Sequence, residues 1–403
     1  MSAYPRPEAF RQQLNSLLQE TRNVTWMLQT SKSKIPEFQH WYREWQQRMS
    51  DDEIMRWAVA MRNQVVKEGD LEAHSVARVT LLGSWNSPSF VDLNVPAHFS
   101  PAAVARRVSV GELPPTAAKI GVLAVERRWS VNTLPDYEVL EALAHCYGVL
   151  YELISEAHDL CQIAMADDSV ERLRRTADGQ EPDQGRPPRC MEISREHRTA
   201  FLRLATGELL TLGHRAIGRE PDVELRLTKI MDRYGLTEAP KPIPPPTSVA
   251  ELFSFAEYLV DMSKRTLMRD KTHIHIVHLI SRRGIEMHVL EPVDKSEKLI
   301  LYHDLAGKVA RDGVMGVAGI AEAWSYRGDL NRLPDDLVDL DGVDGRGESL
   351  MVFAAWRSGE VRVWITDFVR KDDGEIQFAD TKLSGREAAN FLLPILAVWE
   401  SQP

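Results

Sequence analysis

Cysteine is scarce, with Cys146, Cys161 and Cys190 the only three in a chain of 403 residues. The number is odd and no pair has CxxC or Cys/His finger spacing, which excludes a disulfide framework and a zinc finger and fits a reducing compartment. Long apolar runs are missing too: none approaches the ~20 residues needed to cross a bilayer, so no membrane association is expected. The opening residues, MSAYPRPEAF, lack the apolar core of a signal peptide. A cytoplasmic location is therefore expected. Basic charge is in deficit, with Lys+Arg 49 against Asp+Glu 59 for a net charge of −10. That balance argues against a nucleic-acid binder using its whole surface, while leaving room for a local basic groove. No GxxxxGK(S/T) phosphate loop, GxSxG elbow or HExxH helix occurs, and no internal repeat is evident. Gly313, Gly316 and Gly319 lack the strand-turn-helix context of a dinucleotide site. No cofactor is expected.

What is present is an ordinary globular composition, 43% hydrophobic and 27% charged, in a length that suggests two or three domains of roughly 150 residues each. Arginine outnumbers lysine 36 to 13, a bias associated with GC-rich bacterial genomes. Phe10, Leu14, Leu17, Thr21, Val24 and Leu28 recur at the spacing of one helix face. Ile35 and Pro36 open a second segment carrying Phe38, Trp41, Tyr42, Trp45 and Met49. Ser50 is the expected cap of a third helix with Ile54, Trp57, Ala58, Met61 and Val65, which Gly69 can stop. Trp41, Trp45 and Trp57 are expected to form core between helices. Ala77, Val79 and Leu81, and then Val91, Leu93 and Val95, alternate as strands do. Ile120–Trp129 reads as a strand or a short helix. Asp136 can cap a long helix with a stripe of Leu140, Leu143, Tyr147, Leu150, Ile154, His158 and Cys161.

The expected organisation is an α-rich helical array over 1–166 with a β-containing insert, a charged linker over 167–190, and a small segment over 191–238. That small segment reads as a hairpin at Thr206-Gly207-Glu208 and a helix from Pro221 to Tyr234. A proline-rich linker over 239–248 leads to an α+β domain over 249–403 with a mainly antiparallel sheet. The last domain holds 19 basic against 26 acidic residues. Its expected elements are a helix capped by Ser248, strands at His273–Ile280 and Ile285–Leu290, a helix around Leu299–Val309, and a strand at Val314–Trp324. A hairpin of Leu350–Trp356 and Val361–Phe368 follows, and then a last helix whose Pro394 should kink it or mark its first turn.

Three clusters are candidates for chemistry. Arg62 and Asn63 lie near the end of the third helix with Lys67 beyond them. His273 and His275 share a strand face, opposite His278. They could share a metal if Glu322, His288, Asp367 or His303 supplied a third ligand. The acidic loop Asp329–Glu348 suggests calcium, but counting from Asp339 puts Val343, Asp344 and Leu350 at places where an EF-hand needs oxygen, glycine and glutamate. Arg327-Gly328-Asp329 is an adhesion tripeptide by chance.

The helical array with Arg62-Asn63 near a helix end resembles the HEPN superfamily over at most residues 6–165. Its ribonucleases carry an Arg-polar-x(3)-His element that acts on RNA across two protomers. The resemblance implies that Arg62, Asn63 and Lys67 face RNA; Lys67 stands where histidine would, and lysine holds phosphate but is a poor general base. The C-terminal part, about 270–385, with Glu322-Ala323-Trp324 ahead of its acidic loop, resembles a domain of bacterial and phage-borne proteins and implies no activity. The leading expectation is a non-catalytic interaction or regulatory protein that binds a protein partner or itself. The alternatives are a HEPN-like RNA-binding or RNA-processing protein and a metal-dependent hydrolase built on His273 and His275.

Overall fold

The computed structural model describes residues 4, 6–67, 73–86, 88–135, 137–164, 198–212, 214–217, 244–282, 284–326, 343 and 345–401. Gly69, Asp136, the linker 167–190 with Cys190, the helix expected over Pro221–Tyr234, the first half of the proline-rich linker and most of the acidic loop lie outside them. In chain order come α1 (Pro7–Thr30), α2 (Phe38–Asp51), α3 (Glu53–Lys67), β1 (Ala73–Leu82), β2 (Ser89–Asn94), α4 (Pro101–Ala105), α5 (Pro115–Ile120) and β3 (Val122–Val131). Next are α6 (Val139–Leu160), β4 (Thr199–Arg203), β5 (Leu209–Leu210), β6 (His214–Ile217), α7 (Val249–Asp270), β7 (His275–Ser281), β8 (Gly284–Leu290) and α8 (Lys295–Asp312). The chain then forms β9 (Gly316–Tyr326), β10 (Arg346–Trp356), β11 (Val361–Arg370), β12 (Ile376–Phe378), β13 (Lys382–Ser384) and α9 (Leu393–Ser401). It divides into two compact units, one of Met1–Thr80, Phe90–Ser109 and Leu123–Leu202, the other of Leu81–Ser89, Val110–Val122 and Arg203–Pro403. A helical N-terminal region followed by a region built on an antiparallel sheet is the α+β arrangement the sequence implies.

In the first unit α1, α2, α3 and α6 bury one aromatic-rich core. Trp41, Trp45 and Trp57 are each no more than 6% exposed, as expected of core anchors. Two of the indole N–H groups find acceptors, Trp45 donating to Glu156 at 2.6 Å and Trp57 to Thr133 at 3.1 Å, while the buried Trp41 N–H has none among the described residues. The third helix is not capped by Ser50. The second helix runs on to Asp51, Ser50 donates back to Gln47, and Asp52 accepts the Met55 N–H at 2.9 Å. The buried face of α6 is Leu140, Leu143, Cys146, Leu150, Leu153 and Ala157, turned slightly from the expected stripe, so His158 is only half-buried. Strands follow the order β2–β1–β3–β4. Val125, Arg127, Trp129 and Val131 of β3 alternate inward, and Trp129 stacks on Phe10 of α1 at 4.7 Å.

The second unit carries strands in the order β12–β11–β10–β9–β7–β8–β6, with β13 on β11. All of these pairings are antiparallel. Both faces of this sheet are covered, so its central strands read as nearly continuous apolar runs. Val277, Leu279, Val317, Phe353, Ala355 and Val363 pack under α8 and α9. Ile280, Ala318, Ile320, Val352, Ala354 and Trp364 pack under α7. Ser248 caps α7 as expected, accepting the Glu251 N–H at 3.3 Å. Asp294 and Glu297 form a reciprocal box at the start of α8, where Glu297 N–H reaches Asp294 at 3.0 Å and Val293 N–H reaches Glu297 at 2.9 Å. Pro394 stands in the first turn of α9, behind two short 3-10 turns.

Candidate functional site

A groove of about 840 Å³ runs between the first three helices and α6. Its floor is apolar, with Leu18, Met49, Met55, Ala58 and Leu150, and Arg22, Arg56 and Arg62 line it together with Asn63, Thr21 and Thr25. Helix periodicity explains the grouping. Leu18, Thr21, Arg22 and Thr25 form one face of α1, and Val59, Arg62 and Asn63 one face of α3. The Arg62 guanidinium donates to the Asn63 side-chain oxygen at 2.8 Å, and Arg56 donates to the Ser50 carbonyl at 2.7 Å. Lys67 is exposed at the end of α3 and does not line the groove. Arg62 and Asn63 are thus brought together, and Lys67 is left apart. No Asp, Glu or His lines this groove among the described residues. Its one thiol, Cys146, is pushed up by burial to about 12 and is inert as a nucleophile at neutral pH.

The histidine cluster has a different geometry from the one its spacing suggests. Strand β7 starts at His275, so His273 precedes the sheet. The His273 N–H goes to the Glu322 carboxylate instead of to a neighbouring strand. Glu322 also accepts from Arg370 at 2.9 Å, and Arg370 holds Glu348 at 3.0 Å. His273 and Glu322 are therefore neighbours through the backbone, not as two ring-and-carboxylate ligands. The His275 ring turns toward α8, where Nε2 lies 2.9 Å from the Tyr302 hydroxyl. Burial, with Lys298 and His273 adding to it, pulls His275 down to about 3. Burial also lowers the Lys298 amine, which lies 5.0 Å from the Phe391 ring, to about 8. His278 faces the opposite side, edge-on to Phe255 at 5.5 Å. Among the described residues no group of three or more His, Cys, Asp or Glu side chains could hold a metal ion.

A further site was not singled out by spacing. Arg127 is 1% exposed and occupies an inward position of β3 between Val125 and Trp129. It donates to the Ser75 hydroxyl at 3.0 Å and lies 5.8 Å from the Tyr4 ring and 5.9 Å from the Trp129 ring. Its Nε is buried without an acceptor. Ser75, His74, Asn94, Val95 and Trp129 line a pocket of about 500 Å³ beside it. The signal was available in the alternation Val125-x-Arg127-x-Trp129-x-Val131, which puts a charge where the strand buries its side chains. It could be read only once the segment was known to be a strand. Nearby, Glu138 is 1% exposed and caps α6, accepting from Leu140 N–H at 2.6 Å and Tyr4 hydroxyl at 3.3 Å. Burial raises its carboxyl to about 7, against the Arg198 charge and the hydrogen bonds from the Trp129 and Glu141 backbone.

The family model described as bacteriophage lambda protein ea47 matches residues 1–403. Protein ea47 of Escherichia phage lambda is 27% identical over 372 residues, which cover 89% of this chain and 84% of that protein. No solved structure matches the chain. No helix among the described residues is long and apolar enough to cross a membrane.

Proposed function

The chain belongs to the bacteriophage lambda protein ea47 family, and within that family we propose that it works by binding a protein partner rather than by catalysis. The partner segment is an acidic amphipathic helix, seated in the groove of the first unit. The observation that carries this reading is the groove's make-up: three arginines and no acid over an apolar floor. Such a lining attracts carboxylates at its rim and apolar side chains at its centre, the combination presented by a helix with two faces. Apolar side chains continue the surface. Val59 is 62% exposed, Val66, one turn past Arg62, is 54% exposed, and Trp26, one turn past Arg22, is 56% exposed. The groove's lining holds no side chain poised to transfer a proton near neutral pH, which supports binding over turnover.

The test is fluorescence anisotropy of the full chain with three probes: a Glu/Leu amphipathic peptide, the same peptide with Lys for Glu, and a single-stranded RNA oligonucleotide. The acidic peptide is expected to bind tightest and to weaken with salt. Reversing Arg22, Arg56 and Arg62 to glutamate should weaken it more than about tenfold, since each rim charge contributes on the order of 0.5–1 kcal/mol. Equal affinity for the acidic and basic peptides would discard the proposal.

A second reading, RNA binding of the HEPN kind, draws support from Arg62 and Asn63 facing the groove together. It requires the RNA probe to bind tightest and Arg62→Ala to abolish that binding.

A further inference from the structure

A guanidinium withdrawn from water needs a compensating charge or a full set of acceptors, because the cost of burying a bare ion is several kcal/mol. Arg127 has neither among the described residues. One nitrogen reaches Ser75, Nε has no acceptor, and no carboxylate pairs with it. The rings of Tyr4 and Trp129, at 5.8 Å and 5.9 Å, lie at the outer limit of useful cation–π distance. The arrangement is that of half an ion pair.

The other half has a place to sit. Ser75 takes the Arg127 hydrogen bond on its oxygen, which leaves its own hydroxyl proton to donate elsewhere, and Ser75 lines the pocket. Strands β1 and β2 meet here, the Val95 N–H donating to the Ser75 carbonyl at 3.1 Å, and Asn94 at the end of β2 lines the pocket together with Ser75. His74 adds a ring nitrogen as a donor, and no acidic side chain lines the pocket among the described residues. We propose that this pocket binds a small phosphate-bearing ligand, with Ser75, Asn94 and His74 donating to its oxygens and Arg127 supplying the opposite charge from behind Ser75. The pocket's 500 Å³ is far more than a lone phosphate fills, and its apolar walls, Pro7, Val95, Ala97 and Trp129, suit a small organic group on that phosphate. The site is separate from the arginine groove of the helices and does not depend on the reading given to it.

Equilibrium dialysis of the full chain against radiolabelled inorganic phosphate, with glycerol phosphate as competitor, tests this. Wild type should bind one phosphate per chain, and glycerol phosphate should displace it at a lower concentration than unlabelled phosphate does. Arg127→Met and Asn94→Asp should each lose at least about tenfold in affinity, from a lost charge in one case and a repelling one in the other. Asn94 is exposed, so its variant reports on binding even if the Arg127 variant folds poorly. Arg62→Ala should bind phosphate as wild type does, which separates this site from the groove. In phosphate-free buffer Arg127→Met should melt no lower than wild type, because it removes a buried charge that nothing offsets. The proposal fails if wild type binds no phosphate at about 20 mM, if both variants bind it unchanged, or if Arg62→Ala is the change that abolishes binding.

Discussion

Replacing Gly319 with alanine should destabilise the second unit by about 3 kcal/mol, the upper end of what overpacking a core costs. Gly319 sits in the middle of β9, paired with Phe353 on one side and Val277 on the other. A methyl group there would lie 2.2 Å from the Phe353 ring and 2.7 Å from the Ile276 carbonyl. Neither neighbour can move easily. Ile276 is fixed by its strand pairing, and the fully buried Phe353 ring packs edge-on to Phe391 at 4.9 Å. The gain from a stiffer unfolded chain, roughly 0.4–1 kcal/mol, is too small to offset the clash. Gly111→Ala is the control, since nothing lies within 4 Å of its added methyl; it should be neutral or slightly stabilising. Urea denaturation measures both. Phe353→Leu shortens the ring that is struck, so the double variant should be more stable than the two single costs add up to. Strict additivity would mean the clash lies elsewhere.

Acidification below neutrality should weaken the fold at roughly 2 kcal/mol per pH unit through His275 and His278. In the unfolded chain both histidines titrate near 6.5. In the folded chain burial, reinforced by Lys298 and His273, holds His275 near 3. Burial, together with His288 and against a hydrogen bond to Ala318, holds His278 near 4. Between these values the unfolded state carries two more protons than the folded one. The stabilisation is therefore complete above pH 6.5 and is lost as pH falls toward the folded values. Glu286 joins only later. Burial would raise its carboxyl, but His288 and the Lys308 ammonium hold it near 2, so its contribution is lost only below its unfolded value of about 4.5. Between pH 6.5 and 4.5 His273 and His303, also lowered by burial, add to this slope, and Glu138 of the first unit, raised to about 7, opposes it. The difference in slope between wild type and the double variant therefore reads His275 and His278. Urea midpoints followed by tryptophan fluorescence should show a steep slope for wild type and a shallow one for His275→Gln with His278→Leu. Matching slopes would place the acid sensitivity in other groups.

The same histidines show how far the sequence could be read. Alternation correctly placed His275 and His278 on opposite faces of one strand, because that relation is local and set by the pleat. Which helix each would meet was not written there. Tyr302 reaches His275 across 27 residues and Glu322 meets the His273 backbone across 49, and nothing in their spacing marks either partner. The Arg62–Asn63 pair was equally legible as adjacent residues on a helix. Its place in a groove with Arg22 and Arg56 depends on how three helices pack.

Taken alone, the sequence determined the helices of the first unit, the hairpins of the second and the α+β class, because 3.6-residue and two-residue periodicities act between neighbours a turn or a pleat apart. Only tertiary structure decided that Arg127 would be buried behind Ser75, 52 residues away, with its Nε unpartnered and no carboxylate paired with its guanidinium among the described residues. A charged side chain looks the same in a sequence whether it meets water or a core. The burial that gives it meaning arises when distant strands pair and helices close over them.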